Sequence, residues 1–256
     1  MTRMRRVVVV LATCLLCQLA LPLHAEEPWR PGVRKAINYS QRRAGDVSFA
    51  VVGPAGRVYG YRRTVQVPMA SVIKAIFMTG YLRHPSVRDR RLGDSDRSLL
   101  GPMIKRSDND AATRIADFLG PRRINRLARI AGMQEFHYTR PWGLSLTSAR
   151  DQANFFFELE RYIPKRHEDY ARYLLSHIIE SQRWGIGQLN RPNWRFFFKG
   201  GWGSGTGAVC HQAAFLERDG KRIAVAVMIR NSPSHAYATE TLRGVFDRLL
   251  DDLPAP

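Results

Sequence analysis

Ser71-Val72-Ile73-Lys74 opens the apolar stretch Ala75-Ile76-Phe77-Met78 and sets a serine and a lysine three residues apart. On a helix that spacing puts both side chains on one face, within reach of each other. A lysine so placed can take the serine's proton once its own ammonium is neutral, and burial among apolar residues beside other cations lowers its pKa toward that state. A serine at a helix start gains a second advantage, because its own N–H and the positive helix end favour an oxyanion. Taken alone, the same four residues also describe a capping serine and a solvated lysine. Two later stretches weigh against that plainer reading. Ser107-Asp108-Asn109 precedes Ala111-Ala112-Thr113, where all three residue types favour a helix start. Lys199-Gly200-Gly201 lies between Phe196-Phe197-Phe198 and Trp202, at a strand-like end.

Taken in order, these stretches match the S-x-x-K, S-D-N and K-T-G set, and from about Gly45 to Leu250 the chain resembles class A β-lactamases and penicillin-binding proteins. The resemblance implies a serine hydrolase or acyltransferase in which Ser71 is the nucleophile, Lys74 its base and Ser107 the relay of a proton to the leaving nitrogen. Asn109 would hydrogen-bond the substrate amide and help place Lys74, leaving Asp108 structural. Lys199 would supply positive potential toward Ser107 and the substrate's anionic end. Gly200 and Gly201 permit close backbone approach, and the N–H of Trp202 stands where the family places its second oxyanion donor.

The chain departs from the family pattern in two places. Gly200 replaces the usual Thr or Ser whose hydroxyl helps grip a substrate carboxylate, with Ser204 or Thr206 as candidates to compensate. Class A enzymes also activate the deacylating water with the glutamate of an E-x-x-x-N stretch. None occurs from Asn109 to Lys199. The corresponding loop, Gly132 to Leu146, is short, and its only acid is Glu135. An acyl-enzyme is therefore expected to deacylate slowly, with a deficit of roughly 10²- to 10⁴-fold for the missing base.

At 256 residues, 45% of them apolar, the chain can bury a sizeable core in one or two lobes. The formal charge of +18 comes mainly from arginine scattered along the whole sequence. A basic run with interleaved aromatics is missing, so weak attraction to anionic envelope polymers is expected and nucleic acid is not. Arg3, Arg5 and Arg6, the apolar Val7 to Leu21 and the small residue Ala25 spell a signal peptide over residues 1–25, which places the protein outside the cytoplasm, periplasmic or extracellular. A stop-transfer helix fits less well, because the apolar span is short for a bilayer. Leu11-Ala12-Thr13-Cys14 is a weak lipobox, which leaves lipid anchoring at Cys14 as the less favoured fate. Cys210 is then the lone mature cysteine, so no internal disulfide is available. Beside His211 it suggests a Cys–His pair, but strand neighbours point to opposite faces, which favours a buried small hydrophobe. No metal-ligand spacing links the seven histidines. The expected protein is thus a monomer without metal or cofactor.

Period-two patterns predict strands over Asp46 to Val52, Gly56 to Arg62, Trp194 to Lys199, Val209 to Leu216 and Arg222 to Ile229, with turns at Gly53-Pro54-Ala55-Gly56 and Asp219-Gly220. Helical patterns cover Ala111 to Phe118, Arg123 to Ile130, Ala149 to Glu160, Tyr170 to Ile179 and Ala238 to Leu250, with a further start near Ser71. The expected fold is α/β in the α+β sense and β-lactamase-like. An antiparallel sheet lobe from both chain ends (about 45–70 and 190–256) packs with helices, a helical lobe (about 71–189) is inserted, and residues 26–256 form one hydrolase domain. The aromatic loops Arg140-Pro141-Trp142-Gly143 and Ser181 to Gly187 are candidates for walling a cleft between the lobes, or for covering core edges. Ser234-His235 reads more simply as a cap and a surface histidine.

Three function classes follow. The first is a hydrolase or acyltransferase acting on a β-lactam or cell-wall peptide. The second is a catalytically weak binding or sensor protein for wall fragments or β-lactams. The third is a basic nucleic-acid binder, which export disfavours. An amidase of glutaminase type also shares the S-x-x-K serine.

Overall fold

The structure is a computed structural model that describes residues 29–203, 205 and 208–253. The expected signal segment, Cys14, Ser204 and Thr206 lie outside the described residues. Strands follow as β1 (Asp46–Val52), β2 (Val58–Tyr61), β3 (Val67–Pro68), β4 (Leu146–Thr147), β5 (Arg195–Gly203), β6 (Val209–Arg218) and β7 (Lys221–Arg230). Helices are α1 (Val33–Ser40), α2 (Lys74–Leu82), α3 (Asp94–Lys105), α4 (Asn109–Ile130), α5 (Ala149–Phe157), α6 (Lys165–Ser176) and α7 (His235–Leu249).

β1 is buried from Val47 to Val52, on both faces, and such a strand belongs in the middle of a covered sheet. It lies there, in the antiparallel order β2-β1-β7-β6-β5, with Val47 opposite Ile229. The two chain ends therefore share one sheet. Asp219 and Gly220 both adopt positive φ (49° and 75°), the backbone a tight hairpin between β6 and β7 demands. One face of the sheet is covered by α7, through Leu242, Val245 and Phe246, with α1 packed beside it. The other is covered by α5, whose Ala153, Phe155 and Phe156 are buried. The mixed α/β fold with its antiparallel sheet is as expected.

Several details differ from the sequence reading. α5 lies inside the stretch expected as helical lobe, yet it packs on β1, β6 and β7, because its apolar side chains complete the sheet's covering. α1 and α3 were not delimited; α3 buries Leu100, Met103 and Ile104 on one stripe, with Asp96 accepting the Gly93 N–H at 2.8 Å across its first turn. The expected pair of helices at 111–118 and 123–130 is present as the two halves of α4, separated at Gly120, whose φ of 67° interrupts the helix before Pro121. The ribbon β3–β4 is too short to leave a period in the sequence.

Edge strand β5 passes the short 3-10 turn Ala70–Ile73 that leads into α2. The approach is close enough that a β-carbon built at Gly201 would lie 2.7 Å from the backbone nitrogens of Ser71 and Val72. Behind β5, buried Gln212 donates from Nε2 to the Trp184 carbonyl (2.7 Å) and accepts the Ile186 N–H (2.9 Å). The intervening Gly185 has φ 62°, and a β-carbon there would meet Gln212 Oε1 at 2.3 Å. The side chain of Gln212 thus fixes the turn that carries Trp184. Gln212→Ala strands two buried backbone groups, and urea denaturation should show a loss of about 2–4 kcal/mol; unchanged stability would mean that water satisfies the turn.

Candidate active site

Lys74 begins α2 among apolar neighbours, its side chain wholly buried. Its Nζ lies 2.7 Å from Asn109 Oδ1, 2.5 Å from the Ser107 carbonyl oxygen and 3.1 Å from Ser107 Oγ. Trp142 stands over the amine, its ring centroid 5.0 Å from Nζ. Burial lowers the Lys74 pKa to about 7, against the opposing charge of Asp108. Lys199 approaches from β5, equally buried, and donates to Ser107 Oγ (3.1 Å) and to the Gly200 carbonyl (2.7 Å). Burial, and then the neighbouring Lys74 charge, hold its amine well below the ordinary lysine range. Ser107 Oγ is therefore the bridge between two amines.

The direction of that bridge depends on protonation. As an ammonium, Lys74 donates to all three of its partners. As a neutral amine it keeps two protons and a lone pair, and Ser107 Oγ can donate to it while accepting from Lys199. A proton can thus travel between the amines through one hydroxyl. Backbone strain accompanies this geometry: Ser107 itself has φ 58° and Ala70, just before Ser71, has φ 47°, a conformation costing of order 1–3 kcal/mol for a residue with a side chain. Asp108 caps α4 by accepting the Ala111 N–H at 2.8 Å, as the helix-start composition predicts. Ser71 is 9% exposed, at the turn that β5 presses through Gly201. Its Oγ has no hydrogen-bond partner among the described residues.

The family comparison decides the class to which this arrangement belongs. A model described as the beta-lactamase enzyme family matches residues 94–252, which include Ser107 to Asn109 and Lys199 to Trp202 and leave Ser71 and Lys74 upstream. The chain belongs to the beta-lactamase enzyme family. It is a serine hydrolase. Among solved structures, a β-lactamase from Sphaerobacter thermophilus superposes with a TM-score of 0.76 at 19% identity, covering 88% of this chain and 98% of its own. An ancestral class A β-lactamase gives 0.73 at 21%, covering 86% and 99%. One from Burkholderia phymatum gives 0.69 at 18%, covering 85% and 97%. At those identities the likeness is one of fold. No curated protein sequence matches the chain.

Within this family fold, the short loop is occupied differently from what a deacylating glutamate requires. Glu135 pairs with Arg150 (2.7 Å) and accepts from Ser148 Oγ (3.0 Å), while its own N–H and that of Gln134 are held by buried Asp151. Burial, opposed by those two N–H groups, raises the Asp151 pKa to about 6, and the nearby Glu135 charge pushes the same way. These acids hold the loop together. The group facing Lys74 from this loop is the Trp142 indole, fixed by its N–H to Thr113 Oγ1 (3.1 Å) and by edge contact with Phe77.

Gly200 has a physical reason as well. A β-carbon there would lie 2.7 Å from the Trp184 ring, so the indole fills the space that a threonine side chain would need. Trp184 in turn meets Trp202 and His235 edge-on, with centroids 5.9 and 5.5 Å away. Trp202 is 37% exposed, and with Cys210 and His235 it lines a cavity of about 230 Å³ beside the strand end. Cys210 is buried, which pushes its thiol up to about 12, and lies 3.8 Å from His235 Nδ1. His211 points to the opposite side, where Nδ1 accepts the Ile229 N–H (3.0 Å) and Nε2 donates to the Pro68 carbonyl (2.9 Å). Burial lowers its pKa to about 4, so the ring is neutral and ties β7 to the chain entering the Ser71 turn.

The structure therefore gathers Lys74, Ser107, Asn109 and Lys199 into one hydrogen-bonded cluster, with Gly200, Gly201 and Trp202 following on β5 and Ser71 on the turn that β5 passes. The supporting roles of Gln212 and His211 were missed in the sequence. The available signal was two adjacent polar residues inside the otherwise apolar run Val209 to Leu216. Among the described residues no group of side chains could hold a metal ion.

A base with a lowered pKa gives a definite sign to the pH dependence. The neutral amine is the active form, so kcat/KM for acylation should fall as pH drops below about 7, as an apparent value of the coupled lysine pair. Stopped-flow acylation from pH 5 to 9 measures it; a flat profile would remove Lys74 from the role of base. Lys74→Arg, which cannot deprotonate, should lose roughly 10²- to 10⁴-fold.

Proposed function

We propose that this serine hydrolase is exported and forms an acyl-enzyme on Ser71 with a β-lactam or a cell-wall peptide, then deacylates slowly. The observation that carries the reading is the hydroxyl of Ser107 held between two buried amines, one of them with a pKa near neutrality. Lys74 takes the Ser71 proton as Oγ attacks the carbonyl carbon. The developing oxyanion draws on the N–H groups of Ser71 and Trp202. As the C–N bond breaks, Ser107 passes a proton to the leaving nitrogen, and water later completes hydrolysis. Export rests on the basic, apolar and small-residue order of residues 3–25.

Slow deacylation is supported by the loop's chemistry. Glu135 is engaged by Arg150 and Ser148, and an indole, which cannot activate water, faces Lys74. Intact-mass spectrometry of the mature protein with a fluorescent penicillin and with a chromogenic ester tests the whole reading. Wild type should carry a persistent adduct, and Ser71→Ala none. Rapid turnover without a burst would overturn slow deacylation, and the absence of both adduct and Ser71-dependent turnover would overturn the substrate assignment.

The Trp184 ring over Gly200 bears on substrate choice, since it takes the place of the family's carboxylate-gripping hydroxyl. Gly200→Thr alone should impair acylation by steric conflict. Combined with Trp184→Ala, it should shift the kcat/KM ratio of a penicillin over its methyl ester at least about fivefold toward the free carboxylate, the worth of about one hydrogen bond.

A further inference from the structure

The far end of α2 from Ser71 carries a second concavity, of about 250 Å³, whose lining includes Arg83, His84, Arg88, Arg123, Arg126 and Ile130 and no acidic side chain. The kink at Gly120 turns the second half of α4 so that Ile124, Leu127 and Ala128 face the core. Arg122, Arg123, Arg126 and Arg129 are left exposed on its outer side. From Phe118 to Gln134 the sequence has these four arginines and no acid. Among the described residues no ion pair joins Arg83, Arg123 or Arg126 to a carboxylate. Arg83 donates to the Tyr162 carbonyl (3.2 Å), and Arg88 pairs with exposed Asp89 (2.9 Å). The proximity of Arg123 is felt at His84, whose pKa is lowered by burial and then by that charge.

Charge is only half of the feature. Ile130 is 46% exposed on the groove, and Phe118 is 43% exposed beside it, its ring 4.3 Å from that of His84. Large exposed apolar side chains are few among the described residues, and two of them flank this arginine-lined groove, which continues past Ile130 to Arg129. Guanidinium forks match phosphate oxygens in two-point hydrogen bonds. Apolar side chains beside such forks suit the acyl boundary below a headgroup, as in helices that lie on a bilayer.

We propose that this groove docks the protein on an anionic phospholipid surface, with the arginines on headgroup phosphates and Phe118 and Ile130 at the acyl boundary. The separation along α2, nine residues at about 1.5 Å each, keeps the Ser71 opening clear of the docked face. The proposal is independent of what Ser71 acylates.

Co-sedimentation of the mature chain with vesicles tests it, using phosphatidylcholine alone and phosphatidylcholine with 30% phosphatidylglycerol, a composition set on the order of an anionic leaflet. Wild type should bind only the anionic vesicles, and more weakly as salt rises. At roughly fivefold per arginine near such a surface, Arg123→Glu with Arg126→Glu should weaken binding at least about 20-fold. Arg34→Glu with Arg42→Glu removes the same charge from exposed sites on and just after α1 and should have a much smaller effect. Phe118→Ser with Ile130→Ser should also weaken binding. Circular dichroism and ester hydrolysis report whether each variant is folded. Equal losses in the two charge-reversed variants would assign the binding to net charge and overturn the proposal, as would no binding by wild type. Full displacement by millimolar inorganic phosphate, with the Phe118 and Ile130 variant binding like wild type, would make the groove a free-anion site and overturn it as well.

Discussion

Two lysine amines buried around one serine hydroxyl are the constraint on which the rest of this structure depends. Each amine in its charged form loses solvation, and together they repel. Folding tolerates them because Ser107, Asn109 and the carbonyls of Ser107 and Gly200 satisfy their protons, and because one amine can be neutral near pH 7. Those partners come from the junction of α3 with α4 and from β5, and the amines themselves from α2 and β5, which are far apart in the chain. The cluster can form only when the sheet and the helical segment meet.

That junction explains the glycines of β5. The strand passes so near the Ser71 turn that no side chain fits at position 201, and Trp184 excludes one at 200. Polar residues buried on β6 hold both sides in place: Gln212 fixes the Trp184 turn, and His211 fixes Pro68 ahead of Ser71. Such satisfied buried groups restrict the geometry more than apolar packing would. The aromatic rings of Trp142 and Trp184 then decide what faces the amine and the strand. Trp142 lies over the Lys74 amine and Trp184 against Gly200, so the site presents aromatic surface at both positions.

The sheet was legible because β1 and β7 are apolar and rich in valine or isoleucine, β5 carries three phenylalanines, and Asp219-Gly220 and Gly53 to Gly56 are strong turns. The helical segments were legible as patterns, although α1 and α3 escaped. α1 is short and has only a narrow apolar stripe, and α3 was absorbed into a generally helical region. The position of α5 on the sheet could not be read, since an amphipathic helix does not state which surface it covers. The two-residue ribbon of β3 and β4 is below the length at which a period exists.

The sequence by itself determined the order of the elements, the cap at Asp108 and the absence of an E-x-x-x-N stretch. Local spacing and residue chemistry suffice for these, because each depends on neighbours within a turn or two. The expected helix start at Ser71 is instead a 3-10 turn, with α2 beginning only at Lys74. Only the tertiary structure decided that Lys199 and Lys74 share Ser107, that Trp184 occupies the space above Gly200, and that Glu135 is engaged by Arg150. The same holds for the arginines of α4 and of the segment after α2 that line one groove. These are contacts between residues at least 15 positions apart, set by how closely the elements approach, and no periodicity along the chain records a distance across it.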